Sequence, residues 1–256
     1  MEKIKMAATK PTPPGYYSSL ADFGDLFQEG IPILNYHMIA PLPARHKGIY
    51  VPPGVFSRQM RELCAAGFSS VSLTNILATT DNARRQVIIS FDDGFQSVFD
   101  HAMDALADQS FKAIQFLIPK FLGKTNEWDL PLGVKQHRLM DAHQIREWLA
   151  DGHEIGSHTL THPYLTRISR KLAHEEITAS RKWLEDAFGV AVGHFCYPYG
   201  DYNERVKQMV VEAGYRTACT IQFGVNTATG DPFALRRIKG RHPTRKLCSI
   251  LRWLKG

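Results

Sequence analysis

Short apolar runs alternate with longer stretches that carry apolar residues at helical spacing, and few folds accept that pattern from end to end. Residues 31–39, 86–91, 113–118, 153–156, 194–197, 216–221 and 233–238 read as strands, with 71–73 a shorter extended piece. Between them Phe56, Met60 and Leu63 share one helical face that stops at Gly67, and Val98, Phe99, Ala102 and Leu106 share another over 96–108. Further helices are expected over 141–150, over 169–188 with Gly189 as its cap, and over 203–213. Strands that alternate with helices build parallel βαβ units. About seven such units suggest a closed or nearly closed barrel rather than an open sheet, a choice the pattern alone leaves open. In a barrel of this kind chemistry gathers at the C-terminal ends of the strands.

With 256 residues, 44% of them hydrophobic and 22% charged, the chain can bury one large core. The division expected is a flexible N-terminal arm over 1–30, a barrel domain over 31–240 and a basic amphipathic tail over 241–256, the Pro-rich stretch 10–15 marking the arm. The irregular loop over 119–139, which holds Trp128 and Asp129, has the length of a functional one. Cys64, Cys196, Cys219 and Cys248 lie far apart without CxxC spacing. That excludes a disulfide framework and a thiolate zinc site, and leaves each as a small buried hydrophobe.

Two clusters carry the chemistry. The first, Ser90-Phe91-Asp92-Asp93-Gly94, ends an apolar strand with adjacent carboxylates. Such a pair repels unless a cation or a shared proton intervenes, although Asp-Asp-Gly on its own is equally a turn. The second is His158-Thr159-Leu160-Thr161-His162-Pro163. Residues four apart face the same way on a helix or a strand, so two imidazoles at this spacing can grip one ion. Pro163 disfavours a helix at His162 and points to a turn after a strand. One Asp and two His form a usual set for zinc or a non-haem metal, with a fourth position left for water and a spare carboxylate for general-base work.

The chain resembles the polysaccharide deacetylase family. The resemblance runs from about Ile31 to Ile238 and rests on Tyr36-His37, Ser90-Phe91-Asp92-Asp93-Gly94, Gly152-His153-Glu154 through His162-Pro163, and Phe195-Cys196-Tyr197-Pro198-Tyr199-Gly200, in that order. It implies an α/β fold, a distorted (β/α) barrel of about seven strands in a single domain. It also implies a metal-dependent hydrolase that removes N-acetyl groups from an N-acetylglucosamine-containing polysaccharide or oligosaccharide and releases acetate. Residue by residue, Asp92 takes the part of general base, and Asp93, His158 and His162 that of metal ligands. The Tyr199 N–H takes the part of oxyanion donor, with its ring lining the acetyl pocket. Many members have an arginine where Cys196 stands, and it orients the catalytic aspartate; many also end in a Leu-x-His motif that is missing here. The sequence is instead similar to the branch with permuted motif order, in which an early Tyr-His supplies the acid, here His37. Arg236 or Arg237 is the candidate replacement for the missing arginine. Tyr199, Trp128 and Arg237 are the substrate-binding candidates, and Tyr164 and Tyr202 are further aromatics near the motifs.

The implied cofactor is a divalent metal, zinc first, with cobalt, nickel or iron also compatible with such ligands. The implied partner is an amino-sugar glycan. A small non-sugar amide as substrate, and a non-catalytic glycan-binding module, are the competing readings; the intact Asp92, Asp93, His158 and His162 argue against the second. Net charge is +6, yet no nucleic-acid motif or aromatic-basic interleaving accompanies it, and no nucleic-acid partner is expected. In the tail, Leu247, Ile250, Leu251 and Leu254 form a stripe among Arg245, Lys246, Arg252 and Lys255. It suits a weak membrane-surface contact on anionic lipid or, more commonly, packing on its own domain. No run reaches the roughly 18–20 apolar residues of a membrane span. The N-terminus lacks a secretory pattern, so a cytoplasmic chain is expected. Nothing in the sequence sets the oligomeric state.

Overall fold

A computed structural model of the protein describes residues 19–42, 49–78, 85–132 and 135–241. The strands are β1 (Ile33–Tyr36), β2 (Met38–Ile39), β3 (Tyr50–Val51), β4 (Ser69–Ser70), β5 (Gln86–Phe91), β6 (Ile114–Leu117), β7 (Glu154–Ser157), β8 (His194–Cys196), β9 (Thr217–Cys219) and β10 (Ile238–Lys239). The α-helices are α1 (Pro53–Ala65), α2 (Gln96–Ala107), α3 (Ala142–Ala150), α4 (Arg170–Phe188) and α5 (Glu204–Glu212). The main sheet runs β10-β1-β5-β6-β7-β8-β9, with every neighbouring pair parallel and β4 attached to β5. β9 and β10 are not paired directly; among the described residues the ring closes through the bridge from Cys219 to Leu235 and the bond from the Arg237 N–H to the Gln222 carbonyl. The result is the expected distorted (β/α) barrel in one domain.

Alternation along the strands sorts the core into two parts. Ile33, Ile88, Ile114, Phe116, Cys196, Cys219 and Leu235 fill the barrel interior. Leu34, Tyr36, Ile89, Phe91, Leu117, Ile155, Phe195 and Ala218 face outward under the helices. Gly156 is required on the inner face of β7, because a Cβ there would meet the Phe116 ring at 2.5 Å. The helices begin and end on local chemistry. Asp141 and Gln144 form a capping box on α3, Ser169 caps α4, Asn203 caps α5, and Gly189 ends α4 at φ 67°.

Several expectations need correction. The stretch 31–39 is two strands, broken at His37, because β2 leaves the barrel to pair with β3. The extended piece expected at 71–73 falls earlier, at Ser69–Ser70, and a 3-10 turn over Leu73–Ala78 follows it. The arm expected over 1–30 does not extend to residue 30. Leu20, Phe23, Leu26 and Phe27 are buried on the domain, and Glu62 accepts hydrogen bonds from the Ser19 hydroxyl and the Leu20 N–H. Apolar spacing in that segment outweighs the Pro-rich stretch before it. Residues 1–18 of the arm, and the tail from 242 on, lie outside the described residues. Cys64 is exposed on α1, whereas Cys196 and Cys219 are buried as expected. Among the described residues no helix is long and apolar enough to cross a membrane.

One histidine ties stability to pH. His153 is buried against Trp148, and its Nδ1 accepts the Ala113 N–H at 3.1 Å, which requires a neutral ring. Burial, helped by Lys112, pushes its pKa down to about 4. The unfolded chain therefore binds this proton at a higher pH than the folded one does. The stabilisation is complete above about pH 6.5 and is lost as pH falls toward 4. The melting temperature should fall over that window, and less steeply in His153→Gln, whose side-chain oxygen can still accept from Ala113. Equal slopes would exclude His153 as a contributor.

Candidate active site

At the C-terminal end of β5 the backbone turns sharply, with Asp93 at φ 73° and Gly94 at φ 77°. Asp92 continues the inward face of Ile88 and Ser90, and its N–H donates to the Tyr36 carbonyl at 3.0 Å. The left-handed turn then brings the Asp93 carboxylate to the same end of the barrel. Beyond β7, the His158 N–H donates to the Leu117 carbonyl, and the chain loops through Thr159 (φ 67°) to His162 (φ 65°). Tyr199, after β8, is left-handed as well at φ 59°. Four of the six non-glycine residues with positive φ among the described ones thus surround a single point. Such conformations persist where the surroundings enforce them.

Asp93, His158 and His162 close on that point. Asp93 Oδ1 is 3.4 Å from each Nε2, and the two Nε2 atoms are 3.2 Å apart. A tetrahedral ion with bonds of about 2.0–2.1 Å places its ligand atoms roughly 3.3 Å from one another, so the triad has the dimensions of a zinc-like site. Asp93 Oδ1 is buried without a hydrogen-bond partner. His158 Nδ1 is 2.7 Å from the Cys196 carbonyl, a contact that needs the proton on Nδ1 and turns a lone pair of Nε2 toward the triad in the neutral ring. Burial disfavours charge on both imidazoles, to about pKa 3 for His162, but Cys196 and Asp93 outweigh it at His158. Ion binding at the triad would require both imidazoles in the neutral form.

Asp92 is 2% exposed, as is Arg237. The two form a bidentate pair, Nη1 to Oδ1 and Nη2 to Oδ2, each at 2.8 Å. The other N–H groups of Arg237 reach the Thr220 carbonyl at 2.7 Å, Ser90 Oγ at 3.3 Å and Cys196 Sγ at 3.1 Å. All five guanidinium donors are therefore occupied. Burial alone would raise the Asp92 carboxyl, but the Arg237 charge and hydrogen bonds prevail and hold it well below the usual carboxylate range. Arg237 is thus the arginine that orients the aspartate, and its expected substrate contact is incorrect: it has no donor left and lies beneath the carboxylate. Cys196 vacates the space into which this guanidinium fits.

His37, at the break between β1 and β2, places Nε2 3.8 Å from Asp92 Oδ2. Burial lowers its pKa against the pull of Asp92 and Asp93, so the resting ring is neutral at pH 7. A cavity of about 300 Å³ connects His37, Asp92, Asp93, His158 and His162 with Trp128, Asp129, Tyr164 and Tyr199. Tyr199 meets His162 edge to face at 4.5 Å and stacks on Tyr164 at 3.9 Å, while Trp128 covers another side of His162 at 5.0 Å. Tyr202 instead stacks on Tyr197 and is not part of this wall. Two functional neighbours escaped the sequence reading. Asn35 donates to Asp92 Oδ2 at 3.3 Å; its only signal is a polar residue inside the apolar run Ile33-Leu34-Asn35-Tyr36. Asp129 lines the cavity from the long loop, and nothing but its place beside Trp128 marks it.

Comparison with known proteins agrees with this fold. The polysaccharide deacetylase family model matches residues 79–218. The Bacillus subtilis protein YxkH is 26% identical over 213 residues, 82% of this chain and 71% of its own. The poly-beta-1,6-N-acetyl-D-glucosamine N-deacetylase of Staphylococcus epidermidis is 26% identical over 60% of this chain, which spans about half (54%) of that protein. Among solved structures, IcaB from Ammonifex degensii has the same fold with a TM-score of 0.74 at 20% identity, over 89% of this chain and 97% of that one. The deacetylase PplD from Streptococcus pyogenes, in complex with acetate, gives 0.71 at 23% identity over 82% and 92%.

Removing one partner of the buried ion pair should be costly. Arg237→Met strands the Asp92 charge and should lower the unfolding free energy by about 3–5 kcal/mol in urea denaturation. The double variant Asp92→Asn/Arg237→Met should fall short of the summed single losses by at least about 1 kcal/mol. Strict additivity would mean that the two side chains are not coupled.

Proposed function

Because the chain belongs to the polysaccharide deacetylase family, we propose that this enzyme is a metal-dependent hydrolase that releases acetate from N-acetylglucosamine units of a polysaccharide or oligosaccharide. The observation that carries the reading is the convergence, in one cavity, of the Asp93–His158–His162 triad and the Asp92 carboxylate clamped by Arg237. The walls of Trp128, Tyr164 and Tyr199 offer aromatic faces to a sugar ring, which supports a glycan over a small amide.

The triad would hold the ion, zinc being our choice for two imidazoles and a carboxylate at these distances. A divalent ion there would polarise the acetamide oxygen and acidify a water, the help that so weakly basic a carboxylate as Asp92 requires. Arg237 keeps Asp92 ionised at working pH and fixes its plane, so the oxygen that receives the water's proton is already in position. As the tetrahedral oxyanion forms, the Tyr199 N–H, held by the left-handed turn beside Pro198, donates to it. The amine must be protonated before it departs. His37 faces the cavity on the Asp92 side and is neutral at rest, so the proton it delivers is the one Asp92 has just accepted, 3.8 Å away. The C–N bond breaks, acetate and a glucosamine unit leave, and both side chains return to their starting states.

Purified protein stripped of metal and reloaded with zinc should release acetate from N-acetylglucosamine oligomers. Asp92→Asn should lose about 10²–10⁴-fold in kcat, and Asp93→Asn should lose zinc binding together with turnover. Release that survives chelation and the Asp93 change would overturn the metal-dependent reading. Parental turnover in His37→Ala, with Asp92→Asn inactive, would remove His37 as the acid.

A further inference from the structure

We propose that Glu176, on α4, is a positioning residue for the metal triad: it fixes the loop between His158 and His162 in the only shape that brings both Nε2 atoms to the Asp93 oxygen. The inference rests on the metal-site reading above and extends it to a side chain that touches neither ion nor substrate.

Glu176 lies in the second turn of α4, buried, at 5% exposure. Its Oε2 accepts the Leu160 N–H and the Thr161 N–H, both at 2.8 Å, and its Oε1 accepts the Thr161 hydroxyl at 2.5 Å. These donors come from the middle of the four-residue step that separates the two imidazoles. At each end of that step the backbone is left-handed, Thr159 at φ 67° and His162 at φ 65°, with no glycine to relieve it. Thr159 closes the loop from within: its Oγ1 accepts the His162 N–H at 3.0 Å and donates to the His158 carbonyl. Two left-handed residues around two consecutive inward N–H groups form a concavity suited to an anion, and the Glu176 carboxylate fills it.

The arrangement links the site to the fold. A second tie between β7 and α4, from Ser157 Oγ to Ser180 Oγ at 2.7 Å, sets the height of the helix against the strand. Glu176, one helical turn earlier, then reads out that height to the loop. Without the carboxylate the Leu160 and Thr161 N–H groups would have to turn toward water, and the left-handed residues could relax to ordinary conformations. The 3.2 Å approach of the two Nε2 atoms depends on those conformations. Glutamine at the same place keeps the shape but puts an NH₂ group against one set of donors, so it cannot accept all three bonds.

The test is zinc affinity rather than turnover alone. In Glu176→Gln, competition with a chromogenic chelator should show zinc binding weakened by about 10- to 100-fold. At saturating zinc, kcat for acetate release should rise back toward the parental value with KM little changed. A purely structural role would lower the melting temperature of the metal-free protein and leave zinc affinity within about twofold of the parent, and that result overturns the proposal. Thr161→Val, which deletes the hydroxyl bond and keeps both backbone bonds, should weaken zinc by a few-fold. It decides the matter if the glutamine variant fails to fold, with unchanged affinity counting against the proposal. A parent that binds no zinc would overturn this inference and the metal-site reading together. A parent that binds while both variants match it overturns this inference alone.

Discussion

The guanidinium of Arg237 is the joint on which the barrel and its site both depend. Between β9 and β10 the sheet lacks a continuous ladder among the described residues and is joined by the bridge from Cys219 to Leu235 and the bond from the Arg237 N–H to the Gln222 carbonyl. Arg237, just before β10, spans that seam. Its Nε bonds the Thr220 carbonyl beyond β9, and its Nη atoms cross the interior to Ser90 on β5, to Asp92 just after it and to Cys196 on β8. One side chain therefore ties three strands to the segment that closes the ring. A buried charge is tolerable only when paired and fully hydrogen-bonded, and Asp92 supplies the opposite charge in the plane a bidentate contact demands. The neutralisation that makes the interior habitable also leaves an ionised carboxylate at its mouth.

Around that fixed pair the remaining groups are delivered by strained turns. Asp93, Thr159, His162 and Tyr199 occupy a region of backbone space that side chains other than glycine rarely adopt; Asp93, His162 and Tyr199 line the cavity from such turns, and Thr159 shapes the loop between the two histidines. The cost is met by bonds outside the cavity. Asp201 accepts the N–H and hydroxyl of Thr166, joining the loop after His162 to the loop that carries Tyr199. The Tyr164–Tyr199 stack is formed across the same junction. The Asp93–His158–His162 triad and the Tyr199 turn are thus held by one connected network, so that loosening either loop disturbs both.

Much of this was legible in the sequence because the features concerned are local. Strand and helix periods gave the β5–α2, β7–α4 and β8–α5 units nearly to the residue, and Gly189 caps α4 where cap chemistry placed it. The triad, Asp92 and His37 were found because each sits in a short motif at a strand end. What could not be read is whatever depends on two distant segments meeting. The resemblance offered Arg236 and Arg237 equally, and only their alternation about the β10 edge decides: Arg237 faces the interior and Arg236 is exposed. In sequence Tyr202 is as good an aromatic candidate as Tyr164, yet the turn after Gly200 sends it back onto Tyr197. Leu20, Phe23 and Phe27 were set aside with the Pro-rich segment because their partners on α1 and near β4 lie some forty residues away.

The arginine before β10 and the cysteine on β8 have one physical reading. A guanidinium centred between Ser90, Asp92 and Thr220 can be threaded from any strand whose inward residue reaches that volume. Two such groups cannot share it, since like charges in a space this dry would repel strongly. Once Arg237 enters from the β10 side, the inward residue of β8 must be small and uncharged, and Cys196 meets both requirements with its thiol against the guanidinium. Cysteine at that position and arginine before β10 are therefore one feature rather than two departures. In this chain the interior holds one positive charge at one point, and Arg237 supplies it from the β10 side to the carboxylate at the end of β5.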